Sequence, residues 1–222
     1  MKYLFLCFLL TFSVTTYSQV RYIEVNGTYE SVLPADRVSF SIQLKTVLET
    51  VEEAKNVNTQ KLDNLLKQLT DIGISQTDIN VSPITIGKNY TYVNNQRQQE
   101  GFYVQVNLSV LLQDLNLYTE LTDAFVLNNS IEKIQSSYKI SDYEHQHQLA
   151  YEKALQLAKT KASYMAKVYE MSLGEVLEIE ENSSWSSYSI PFNSVTTENS
   201  KEENDFGKVT IRRSVRVKFI LN

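Results

Sequence analysis

Of the 222 residues, one is cysteine, two are histidine, three are proline and six are glycine. The cysteine, Cys7, lies in an apolar stretch near the N-terminus, so the rest of the chain has neither a disulfide nor a thiol nucleophile. A chain with nothing to mispair suits an oxidising compartment. Scarce glycine leaves little material for a phosphate-cradling loop, and neither a P-loop nor a dinucleotide fingerprint is present. G-x-S-x-G and H-E-x-x-H are also missing, and two neighbouring histidines give triad chemistry few players. Excess positive charge is lacking too: 21 Lys and Arg stand against 26 Asp and Glu, a net charge of −5. No predicted face forms the basic stripe that a nucleic-acid backbone requires, and an anionic membrane surface is disfavoured for the same reason.

Long apolar runs are absent but for residues 3–14, which follow Lys2 and precede Thr16-Tyr17-Ser18. That run falls short of the roughly 20 residues a spanning helix needs. A positive start, an apolar core and small residues at the end make a secretory signal, with cleavage expected after Ser18. Tyr3-Leu4-Phe5-Leu6 does not supply the small residues that precede a lipidated cysteine, so Cys7 is not read as a lipid anchor. The mature chain, 19–222, is then free of a transmembrane segment. It is long enough for one large domain or two interlocked lobes, and 42% hydrophobic residues can build its core.

What is present is periodic. Residues 20–26 alternate and reach Asn26-Gly27, read as a turn, and Pro34-Ala35-Asp36 makes a second turn. Val38, Phe40, Ile42 and Leu44 then face one way, with Ser39, Ser41, Gln43 and Lys45 opposite, which predicts a half-buried antiparallel strand. Residues 50–72 switch to helical spacing through Val51, Ala54, Leu62, Leu65, Leu66 and Leu69, and Gly73 ends the helix. Residues 78–92 return to strand character, broken at Pro83. A polar hairpin tip over 88–100, with Asn94-Asn95, leads into Phe102, Val104, Val106, Leu108 and Val110 as the returning strand. A shorter helix is predicted over 114–128 and a further strand over 131–140.

Residues 141–174 read as the longest helix, with N-cap chemistry at Ser141 and Asp142 and a stop at Leu173-Gly174. Ala150, Ala154, Ala158, Ala162 and Ala166 recur every fourth residue, so they form a smooth ridge on which the helix can lie close to a sheet. Beyond it, Glu178 and Glu180 alternate in one strand, and Arg212, Arg216 and Lys218 in the last. Side by side, these strands would set acids against bases, worth a few tenths to about 1 kcal/mol per pair. Arg213 interrupts the apolar face of the last strand, which suggests a bulge or an edge.

In order, Ile23-Glu24-Val25-Asn26-Gly27, Pro34-Ala35-Asp36, the helix with Ala54 and Asn58 ending at Asp71-Ile72-Gly73-Ile74, and Asp78-Ile79 form the first half of a collinear series. Gly101-Phe102, Asp114-Leu115, Ile140-Ser141-Asp142, the alanine ladder and Leu173-Gly174 complete it. The series resembles the SIMPL-domain family, whose bacterial members include the periplasmic immunogenic protein and the YggE-type stress proteins. The resemblance covers essentially the whole mature chain. It implies an α+β fold, an antiparallel sheet packed by two long helices and one shorter helix. It also implies export to the periplasm or an outer-membrane-associated location, and ring- or channel-like oligomers, known for at least one member. Some members are linked to oxidative-stress tolerance. The family has no established catalytic residues, so none is carried over.

Three sites are worth weighing. Asp142, Glu144 and His147, beside His145, are the candidate metal ligands, although His145 and His147 are two apart and point different ways on a helix. The alternative is a solvated first turn whose acids favour the helix dipole. Aromatics on polar segments are the second candidate: Tyr90 and Tyr92 on one hairpin, and Trp185, Tyr188 and Phe192 in the variable loop over 182–207. Such residues serve as interface anchors or fold back over the sheet. Carboxylate pairs are the third, with nothing to mark one as catalytic. The expectation is a non-enzymatic cell-envelope protein without cofactors, acting as a homo-oligomer or through envelope protein partners. A periplasmic small-ligand or metal-binding protein is the alternative, and a hydrolase stands behind it.

Overall fold

The computed structural model describes residues 20–181, 188–190 and 207–222. In chain order these form β1 (Tyr22–Pro34), β2 (Arg37–Leu48), α1 (Val51–Ile72), β3 (Ile79–Val81), β4 (Thr85–Val93), β5 (Gln96–Leu112), α2 (Tyr118–Leu127), β6 (Ile131–Lys139), α3 (Tyr143–Val168), β7 (Leu173–Glu181), β8 (Tyr188–Ile190) and β9 (Lys208–Leu221). The fold is α+β, as the resemblance implies. The strands make two sheets, one ordered β1-β9-β7 with β8 on β9, the other ordered β3-β5-β2-β6 with β4 on β5. The chain divides into two compact units, one of Tyr29–Glu152 with Ser184–Arg213, the other of residues through Thr28 with Lys153–Ser183 and Ser214–Asn222.

The larger unit is built on β2. Its antiparallel neighbours are β5 and β6, with Ile42 opposite Leu108 on one side and Ile134 on the other. Val38, Phe40, Ile42 and Leu44 are buried, as their alternation predicts, under Leu65 and Leu69 of α1 and Leu121 and Phe125 of α2. Each such aliphatic side chain contributes about 1.5–3 kcal/mol by leaving water. Thr50 caps α1 by accepting the Glu53 N–H, and Gly73 closes it at φ 103°, a conformation that glycine adopts without Cβ strain. Asn58 is buried on the inner face of α1, where its amide donates to Thr46 Oγ1 at 3.3 Å and to the Val104 carbonyl at 3.2 Å. One polar side chain thus ties the helix to both central strands. A second, smaller core in this unit gathers Ala35, Ala150, Val209 and Ile211.

In the smaller unit the alanine ridge does what its spacing suggests. Ala154, Ala158 and Ala162 are wholly buried, and a Cβ added at Gly27 of β1 would fall on the Ala154 carbonyl oxygen and 2.9 Å from the Ala158 Cβ. Gly27 is therefore not a turn. Strand β1 runs straight through it, and the missing side chain lets helix backbone approach strand backbone.

The long helix also ends earlier than expected. Glu170 enters the left-handed region at φ 57° and the Met171 N–H reaches back to the Ala166 carbonyl, a Schellman-type close. Gly174 lies in β7 instead, where an added Cβ would crowd Ile220. At the other end, the Asp142 carbonyl accepts the Gln146 N–H, while Ser141 donates from its N–H and hydroxyl to Asp36 rather than capping the helix.

Strand β7 pairs with β9 so that Glu178 faces Lys218 and Glu180 faces Arg216, the acid-against-base match the sequence suggests. Glu24 of β1 joins from the other side, 3.4 Å from Arg216 and 3.8 Å from Lys218. The hydrogen bond from Lys218, and then its charge, hold the Glu178 carboxyl below the usual glutamate range; the same bond raises Lys218 above the usual lysine range. A carboxylate with a lowered folded pKa stabilises above its unfolded pKa and loses that contribution as pH falls. A raised lysine stabilises below its unfolded pKa and loses it as pH rises.

Two outcomes follow from this packing. Gly27→Ala is expected to lower stability by about 1–3 kcal/mol, because the new methyl meets helix backbone, whereas Gly87→Ala meets only the Tyr103 ring and costs less; urea titration of both variants checks the order. Glu178→Gln is expected to lower the urea midpoint at neutral pH. That difference should shrink as pH falls below the ordinary glutamate pKa of about 4.3, and also in about 1 M salt.

Candidate functional site

The pairing of β2 with β5 stops at Leu48 opposite Phe102, yet β4 and β5 stay paired out to Val93 opposite Gln96. The far part of this hairpin is therefore a two-stranded arm extending past the end of β2. Its tip is Asn94-Asn95, both at positive φ (51° and 62°), as a two-residue loop matched to strand twist requires. At its root the register shifts: Asn89 faces Gly101 and Tyr90 faces Gln99, leaving Glu100 as the extra residue of a bulge. Gly101 sits there at φ 130°, where a Cβ would press on the Leu48 backbone.

A lone hairpin is marginally stable in water, so its cross-strand contacts matter. The Arg97 guanidinium lies 3.6 Å over the Tyr90 ring, a diagonal cation–π contact, since Arg97 directly faces Tyr92. Asn89 donates to Glu100 across the bulge at 3.2 Å. Tyr90 is 39% exposed and Tyr92 73% exposed, with exposed Val93 beside them. The first predicted aromatic pair thus stands on a projecting arm. Of the second group, Trp185 and Phe192 lie outside the described residues, as does most of the 182–207 loop. Tyr188 begins β8, whose backbone pairs with β9 opposite Thr210.

The candidate metal ligands do not converge. Asp142 accepts from His145 Nδ1 at 2.9 Å and from Gln146 at 3.2 Å, and these hydrogen bonds hold its carboxyl below the usual aspartate range. His147 instead points its Nδ1 at Arg213 Nη2, 3.1 Å away, with the Tyr143 ring 5.6 Å from its own. A guanidinium only donates, so Nδ1 accepts and the imidazole proton sits on Nε2. A cation therefore occupies the Nδ1 lone pair of His147. Among the described residues no three His, Cys, Asp or Glu side chains are placed to share an ion.

Arg213 is the residue that sequence reasoning misplaced. It lies on β9, which has strand neighbours on both sides, and holds an inward position in phase with Val209, Ile211 and Val215, only 4% exposed. The one signal available was the alternation itself, which counts Arg213 inward whatever its charge.

Sequence reasoning also missed a polar groove of about 430 Å³ where α1 meets the end of α2. Asn64, Lys67, Gln68, Asp71, Asn128 and Asn129 line it, and Asn128 donates to Gln68 at 2.9 Å. Among the described residues no helix is long and apolar enough to cross a membrane.

The profile of the SIMPL family, described as a protein of unknown function (DUF541), matches residues 23–219. The chain is also 28% identical over 130 residues to the interleukin-1 receptor-associated kinase 1-binding protein 1 homolog of Danio rerio. That alignment covers 59% of this chain and 46% of the relative, so the chain spans about half the length of the curated relative it matches.

The Arg97–Tyr90 contact is expected to hold the arm and not the fold. Arg97→Ala should speed amide exchange over residues 88–100 by about two- to five-fold, the loss of roughly 0.5–1 kcal/mol at an exposed site. The thermal midpoint of the protein should stay in place.

Proposed function

The chain belongs to the SIMPL family, and from that premise we propose that it is an exported, non-enzymatic protein that works by binding, to copies of itself and to protein partners of the cell envelope. The observation that carries this reading is the arm: a hairpin longer than the sheet needs, with Tyr90, Tyr92 and Val93 presented to solvent. Rigid aromatics on a projecting element bury much area at small entropic cost, which is the profile of an interface anchor. The Danio rerio relative is itself named as a binding protein. Export is supported by the apolar run over 3–14 with its small residues ahead of Gln19, and by the absence of cysteine beyond Cys7. A role in envelope or oxidative-stress tolerance is the physiological setting that this reading suggests.

A second reading, the capture of a small polar ligand, is favoured by the amide-lined groove of α1 and α2. Convergent amide and charged side chains suit hydroxylated or amide-bearing molecules.

Light scattering coupled to size exclusion on residues 19–222 tests the first reading. The parent is expected to run as a defined oligomer. The double variant Tyr90→Ser, Tyr92→Ser should run smaller, with an unchanged far-ultraviolet circular dichroism spectrum. A parent that stays monomeric at every concentration overturns self-assembly.

A further inference from the structure

Sheet edges carry unpaired backbone donors and acceptors, and proteins protect them with charges, prolines, bulges or short strands. The edges of this protein are protected unequally. Strand β1 carries Glu24, Glu30 and Pro34; β6 carries Glu132, Lys133 and Lys139; β7 carries Glu175, Glu178, Glu180 and Glu181. Strand β3 is three residues long and is followed by Pro83. Strand β4, among the described residues, pairs only with β5; it runs nine residues from Thr85 to Val93 and has Lys88 as its one charge. The root bulge of the arm falls in β5, so β4 itself stays regular. Its remaining residues include Ile86, Tyr90, Thr91, Tyr92 and Val93, all strong strand formers.

One face of β4 is also under-covered. Ile86 lies opposite Val104, which is wholly buried, so it sits on the core side of the sheet, yet it is 46% exposed. Val81 and Ile84, on the neighbouring stretch, are exposed as well.

We infer that β4 is an augmentation edge whose occupant is β4 of a second copy of this chain, paired antiparallel about Asn89. This rests on the self-assembly reading and specifies the contact that achieves it. Charge decides which edge can pair with its own copy. A second β7 on β7 would oppose glutamate to glutamate, and like charges directly opposite each other are destabilising. On β4, pairing about Asn89 uses all nine residues and avoids a lysine–lysine clash. Lys88 faces Tyr90 of the second copy, Ile86 faces Tyr92, Gly87 faces Thr91 and Thr85 faces Val93. Ile86, Lys88, Tyr90 and Tyr92 share one face, so the isoleucine–tyrosine and lysine–tyrosine contacts recur on both sides of the two-fold axis. Main-chain hydrogen bonds give this contact its strength, and the aromatic face gives it register.

The cysteine-free mature chain makes the test direct. A single Asn89→Cys in residues 19–222 would meet its own symmetry mate across the new strand pair, within reach of a disulfide. Mild oxidation is expected to convert most of the protein to a covalent dimer, while Glu132→Cys on β6 stays largely unlinked. Ile86→Asp added to Asn89→Cys should abolish the dimer, because in this register it sets a carboxylate against the Tyr92 ring of the second copy in place of both isoleucine–tyrosine contacts, with circular dichroism confirming the fold. If light scattering shows an oligomer but Asn89→Cys links no faster than Glu132→Cys, β4 pairing is overturned and self-assembly stands. If the parent is a monomer, both readings fall. If the protein carrying Ile86→Asp still links, antiparallel pairing about Asn89 is overturned.

Discussion

The approach of α3 to β1 is the constraint on which the smaller unit depends. Gly27 lacks a side chain and the helix offers only methyl groups, so strand backbone and helix backbone come nearly into contact. Close approach maximises dispersion contacts per residue but tolerates no added volume. It also accounts for the composition of the helix. Alanine is the strongest helix former and the smallest buried side chain, so a single residue type meets the local and tertiary demands together. Larger apolar residues at those positions would bury more surface and hold the two elements further apart.

Polar groups are handled differently in the two units. In the smaller one, charges stay on the wet face of the sheet, where Glu24, Glu178 and Glu180 flank Arg216 and Lys218. In the larger one, Asn58 and Arg213 go inside. Asn58 donates twice and so locks α1 against β2 and β5. Arg213 contacts His147 and fixes its tautomer. Buried polar contacts of this kind add modest net stability but penalise other arrangements, because each misplacement strands a polar group away from water. The same contact takes up the Nδ1 lone pair of His147.

The functional reading rests on what the described residues leave uncovered. A hairpin that outruns its sheet, with an aromatic outer strand of a single charge, is poorly suited to standing alone in solvent. Its chemistry fits another strand better than a small molecule, since its main assets are backbone groups and ring faces. The groove between α1 and α2, lined by amides, has the opposite character. The two surfaces are unlike enough that their ligands would be distinguished by chemistry alone.

Much of this architecture is local and was therefore legible in the sequence. Alternation at Val38 to Leu44 names a buried strand face because side chains on a pleated chain must point to opposite sides. The alanine spacing names a close-packed ridge, the polar run around Asn94-Asn95 names a hairpin tip, and the acids of β7 match the bases of β9. What sequence could not decide was which strands become neighbours, because that depends on contacts between residues far apart in the chain. Asn26-Gly27 is compatible with a turn or with a close approach, and only the position of α3 chooses. Arg213 reads as an interruption until His147 is seen to meet it. Asp142 and His147 are near in sequence, yet their side chains diverge, one toward its own helical turn and the other toward β9. Tyr90 and Tyr92 were visible as aromatics on a polar hairpin. That β4 is an edge among the described residues came only with the pairing itself: β5 takes β2 on one side and β4 on the other, and β4 has β5 as its one strand neighbour there.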